Sequence, residues 1–155
     1  MRNGLAIALL SLAAYAQEPT VYRLNFALHE TEGGKTTSTR NFSMTVTPRE
    51  FQKVNIDTRL PVPTSPGSSQ FTYINVAVNV RAKILESGSQ LLLNAELDFN
   101  GLGAERESGP APRIEELKAT IDTAIPLDKA TRVISLDDPV SPKHYEVEVT
   151  AGKVK

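Results

Sequence analysis

Apolar and polar residues alternate with a period of two along most of the chain, the signature of strands with one buried face. From Tyr22 to Leu28 the even positions are Tyr22, Leu24, Phe26 and Leu28, with Arg23, Asn25 and Ala27 between them. Glu32-Gly33-Gly34-Lys35 follows as a tight turn, because both glycines tolerate positive φ. Phe42, Met44 and Val46 then alternate with Ser43, Thr45 and Thr47, completing a predicted hairpin. Phe51–Thr58 reads as a shorter third strand with Val54 and Ile56 inward. Leu60 to Ser69 carries three prolines and a glycine and reads as a partly extended loop, where the strand must stop or become an edge.

The strongest alternation comes next. Ile74, Val76, Val78, Val80, Ala82 and Ile84 interleave with Tyr73, Asn75, Ala77, Asn79, Arg81 and Lys83. Glu86-Ser87-Gly88-Ser89 turns the chain, and Leu91, Leu93, Ala95, Leu97 and Phe99 form the returning strand. The β-branched content disfavours a helix. Asn100 to Pro112 has no periodicity and reads as a loop. Leu117–Ile125 alternates again, although Ile114–Lys118 could open a short helix instead. Asp128-Lys129-Ala130 is a turn, and Val133, Ile134 and Leu136 form a short strand. Tyr145, Val147 and Val149 form the last strand, with Gly152 to Lys155 as a tail. About eight strands in hairpins, with no helix of normal length, predict an all-β, antiparallel β-sandwich.

The first sixteen residues break this pattern. Arg2 precedes an apolar stretch from Leu5 to Ala14, and Ala14-Tyr15-Ala16 is an A-x-A cleavage signal. The expectation is a cleavable signal peptide at 1–16 and a single β-sandwich domain at 17–155. The stretch is shorter than the ~20 residues that cross a bilayer as a helix, and no second stretch approaches that length. No integral membrane span is therefore expected in the mature chain. Loss of Arg2 leaves 16 basic against 18 acidic residues, a formal charge of −2. Nucleic-acid binding needs a basic surface and is not expected. The chain has no cysteine, which suits a bacterial periplasmic or secreted protein better than a disulfide-stapled extracellular domain.

Leu60-Pro61-Val62-Pro63, the strand Phe71 to Val80 and the returning strand Gln90 to Phe99 form a succession that resembles the C-terminal β-domain of bacterial secretins. Secretins are the outer-membrane proteins of type II and type III secretion and type IV pilus systems. Glu115 to Ile134 could match that domain's later strands, whereas Ala77 stands where the family often has glycine. The resemblance implies an envelope setting, with this chain as an accessory or stand-alone β-domain. It also implies that Phe71–Lys83 and Gln90–Phe99 pair as one long hairpin.

Candidate chemistry is sparse. His29 and His144 are the only histidines, and each is expected to face solvent rather than bind metal. Serines are plentiful, but no G-x-S-x-G elbow accompanies them, so no catalytic residue is assigned. Asp137-Asp138 reads as a turn cap, and Gly101-Leu102-Gly103 lacks the ending of a phosphate loop. No metal and no cofactor is expected. The polar face of the long hairpin, with Tyr73, Asn75, Asn79, Arg81 and Lys83, is the candidate interaction face. The expected function is that of an exported bacterial envelope protein acting as a non-catalytic interaction domain. The expected partner is another envelope protein, in association with secretion or pilus machinery. A small-ligand or glycan-binding module is the competing class, and an enzyme comes third.

Overall fold

A computed structural model describes residues 19–65, 67–102, 114–139 and 141–154. The predicted signal peptide and residues 103–112 of the predicted Asn100–Pro112 loop lie outside the described residues. Eight strands follow in chain order: β1 (Tyr22–Glu32), β2 (Lys35–Val46), β3 (Gln52–Pro63), β4 (Phe71–Ser87), β5 (Gln90–Leu102), β6 (Ile114–Pro126), β7 (Thr131–Asp137) and β8 (Lys143–Lys153). They form two four-stranded sheets, ordered β2-β1-β8-β7 and β3-β4-β5-β6. Every strand pair within them is antiparallel. The protein is an all-β antiparallel sandwich, as the alternation predicts.

The two inner faces meet in one core. Tyr22, Leu24, Phe26 and Leu28 from β1, with Val147, Val149 and Ala151 from β8, pack toward Val80, Ala82 and Ile84 of β4 and Leu91, Leu93, Ala95, Leu97 and Phe99 of β5. Phe26 stacks on Phe42 with ring centroids 4.8 Å apart, and Phe42 meets Phe99 at 5.4 Å, so three rings bridge the sheets. The Tyr22 hydroxyl donates to the Glu86 carboxylate across the sheets. Burial first, and then that acceptor, push its pKa up to about 12.

Turn chemistry fixes the hairpin registers. Gly33 and Gly34 have φ of +59° and +78°, the two positive values that a type I′ turn needs between Glu32 and Lys35. Gly88, at φ +62°, opens the two-residue loop between the paired Ser87 and Gln90.

Several boundaries differ from the sequence reading. Leu60–Pro63 is not a loop but the end of β3, with Pro61 opposite Tyr73 and Pro63 opposite Phe71. β3 is an edge strand, where a proline's missing N–H leaves no ladder bond unmade. Asn100 and Gly101 continue β5, and Gly152 continues β8. Ile114–Lys118 is strand rather than helix. Cross-strand pairing overrides local turn and helix preference at each of these places.

Ile56 is a further correction, since it is 50% exposed rather than inward. The core ends near the Val54–Val80 pair, where Val80 is buried and Val54 packs against the cluster. Beyond it β3 and β4 run on as a ribbon. β5 pairs with β4 only from Ala77 to Ser87, so Phe71–Val76 pairs with β3 alone among the described residues. The long hairpin implied by the secretin resemblance is present, but its first six residues extend past its partner strand.

Candidate functional site

Period-two geometry sends alternate side chains of β4 to opposite faces. Val80, Ala82 and Ile84 take the inner face and are buried. Tyr73, Asn75, Asn79, Arg81 and Lys83 therefore share the outer face, as the sequence predicts. Cross-strand register then adds residues that alternation within β4 alone could not supply. Pro63 lies opposite Phe71, Pro61 opposite Tyr73, Arg59 opposite Asn75, and Lys53 opposite Arg81. On the other side Arg81 faces Glu96, Asn79 faces Asp98, and Lys83 faces Asn94.

The outer face has two zones. Along the ribbon Phe71 is 53% and Tyr73 is 69% exposed, beside the exposed Pro61 and Pro63. No charged residue occurs from Leu60 to Val80. Over the sandwich itself the face is charged. A shallow trough of about 610 Å³ is lined by Lys53, Asn79, Arg81, Glu96, Asp98 and Lys118, among others. Arg81 reaches Glu96 at 3.4 Å and stacks on Phe51, with its guanidinium carbon 3.8 Å from the ring centroid. Lys83 lies 4.6 Å from the same ring. Phe51 thus belongs to this face and holds two of its cations in place. The sequence reading placed it only at the start of a strand.

His144 is not simply a solvent-facing side chain. It projects from the outer face of β8, with Nδ1 2.6 Å from Asp137 Oδ1. Its Nε2 lies 3.1 Å from Ser135 Oγ and 3.4 Å from Glu146 Oε1. The order Ser135–His144–Asp137 has the connectivity of a hydrolase triad. It departs from one in that the Glu146 carboxylate also approaches the nitrogen that faces Ser135, and a carboxylate near each ring nitrogen favours the protonated ring. The Asp137 hydrogen bond is the largest cause of a raised His144 pKa, and the Glu146 hydrogen bond adds to it against a lowering by partial burial.

A raised folded-state pKa gives a stabilising contribution that is complete below the unfolded value near 6.5 and is lost as pH rises through the folded value. The β7–β8 pairing should therefore loosen over that window. Asp137→Asn should move the His144 titration, followed by its ring proton shifts in NMR, back toward 6.5. An unchanged midpoint would remove Asp137 as the principal cause.

His29 lies apart from this cluster, with Nδ1 3.2 Å from Thr39 Oγ1. Among the described residues no three His, Cys, Asp or Glu side chains gather as a metal site. Among them, too, no helix is long and apolar enough to cross a membrane.

The sequence matches no protein-family model and no curated protein. Its fold is similar to solved structures. Aeromonas hydrophila ExeD matches with a TM-score of 0.50 and 9% identity, over 88% of this chain and 46% of that one. The InvG secretin-domain β-barrel of the Salmonella SPI-1 injectisome matches with a TM-score of 0.48 and 8% identity, over 88% and 61%. The PilQ secretin of the Vibrio cholerae type IV competence pilus matches with a TM-score of 0.45 and 10% identity, over 87% and 57%. The chain spans less than two thirds of the length of each. Solved secretin structures are thus among those that its fold is similar to.

Proposed function

We propose that this chain is an exported protein of the bacterial envelope, cleaved after Ala16, whose β-sandwich works as a non-catalytic interaction domain in association with secretion or pilus machinery. The observation that carries this reading is the β3–β4 ribbon. It runs past the core, bears no charge from Leu60 to Val80, with Arg59 and Asp57 of β3 adjoining, and exposes Phe71 and Tyr73 on its outer face at 53% and 69%. Apolar surface held clear of a core marks a contact site. The partner class is named from the solved secretins of similar fold, InvG and PilQ.

The test is photo-crosslinking in native envelopes. A benzophenone amino acid at Tyr73 should capture an envelope protein identifiable by mass spectrometry, while the same probe at Thr45, on the outer face of the other sheet, should not. Recovery of no partner, or equal recovery from both positions, would overturn the interaction role. Sequencing the N-terminus of the envelope form should read from Gln17. An intact Met1 would overturn export by cleavage.

A further inference from the structure

We infer that the outer face of β3–β4 is a binding surface for an extended, neutral polysaccharide strand. The inference rests on the ribbon being the contact surface, and it assigns that surface a ligand chemistry.

Two aromatic side chains, Phe71 and Tyr73, stand two residues apart on one strand and point the same way. That spacing sets their attachment points about 7 Å apart, within reach of neighbouring sugar rings. Pro63 and Pro61 sit directly opposite them, so the four side chains make one exposed apolar platform. The C–H faces of pyranose rings are apolar and flat, and they suit open aromatic faces of this kind.

The residues that follow on the same face supply the other half of sugar recognition. Arg59 and Asn75 are paired across the strands immediately beyond Tyr73, then Asp57 opposite Ala77, then Asn55 opposite Asn79. Guanidinium, carboxylate and carboxamide groups offer donors and acceptors to hydroxyls. The path continues into the trough containing Lys53, Arg81, Glu96 and Asp98. From Phe71 to Arg81 the strand covers about 33 Å, the run of a short oligosaccharide.

Charge selects among glycans. Along this path Lys53, Arg59, Arg81, Lys83 and Lys118 are interspersed with Asp57, Glu96 and Asp98, while the platform of Phe71, Tyr73, Pro61 and Pro63 carries no charge, which suits a neutral chain. A bilayer suits it poorly, since charged Arg59 and Asp57 adjoin the platform and the open strand edges would lose their hydrogen bonds in hydrocarbon.

The test is titration of the protein as purified from the envelope with chitohexaose and with cellohexaose, read by tyrosine fluorescence and by amide shifts in NMR. At least one should bind, with the shifted amides running from Phe71 toward Arg81. Tyr73→Ala should weaken binding by about tenfold, Tyr73→Phe should restore it, and Leu85→Ala should leave it unchanged. Leu85 is exposed at the far end of the same face. No binding of either hexasaccharide, or equal affinity in a Phe71→Ala/Tyr73→Ala variant, would overturn the inference. A partner crosslinked at Tyr73 without sugar binding would defeat it and leave the interaction role standing. Sugar binding without any crosslinked protein would do the reverse.

Discussion

Phe26→Ala is expected to lower the unfolding free energy by about 3–5 kcal/mol. Phe26 is 1% exposed and sits at the middle of β1, opposite Phe42 on one side and Val149 on the other. Truncation removes both the transfer free energy of the ring and the support of the Phe42 ring stacked at 4.8 Å. Phe42 in turn tilts against Phe99 at 5.4 Å, so the void opens on the line that joins the two sheets. Strands hydrogen-bonded on both sides cannot easily close such a gap. A domain of this size has roughly 5–15 kcal/mol in all, so the loss is a large part of its stability. Urea melts of the two proteins measure it. A loss under about 1.5 kcal/mol would mean that the three-ring bridge is not central to the core.

Glu30→Ala should cost about 3 kcal/mol. Its Oε1 lies 2.8 Å from Lys143 Nζ, and the two side chains are only 14% and 9% exposed. Both face inward near one end of the sandwich, where water solvates a charge poorly. The pair itself adds little net stability, because its attraction offsets the desolvation of two charges. Removing one partner is different, since the Lys143 ammonium then stays buried without the Glu30 carboxylate. The double variant Glu30→Leu/Lys143→Leu should therefore regain most of what Glu30→Ala loses. Urea melts of the single and double variants give the coupling. A double variant less stable than Glu30→Ala would show that the pair contributes net stability where it stands.

The contrast between these two sites explains what could be read in advance. Phe26 follows from alternation alone, because its neighbours Leu24 and Leu28 share its parity and β-strands bury one parity. Glu30 continues the same parity, yet a carboxylate at an inward position looks like the end of a strand's buried face. Its partner lies far along the chain at Lys143, brought alongside by the β1–β8 pairing. Strand pairing likewise hid the environment of His144. Glu146 lies two residues on along the same face of β8, but only the β7–β8 register brings Asp137 opposite His144.

The interaction face divides in the same way. Tyr73, Asn75, Asn79, Arg81 and Lys83 were legible because they alternate with a run of β-branched residues. Pro61 and Pro63 read locally as chain breakers. Their own parity, with Leu60 and Val62 on the other side, was a signal for an edge strand that proline content concealed. Phe51 gave no such signal, since it lies outside β3 and meets Arg81 and Lys83 only through the fold.

Sequence by itself determined the all-β class, the parity of nearly every strand and the sharp turns at Gly33-Gly34 and Gly88, because each depends on local sterics and on a period of two. Tertiary structure decided the sheet order, the reach of β3 through its prolines, the exposure of Ile56 and the ion pair inside the sandwich. Those depend on which distant strand supplies the hydrogen bonds and where the opposite sheet stops covering the core. A period-two pattern says which face of a strand turns inward, but not how far the other layer extends to meet it.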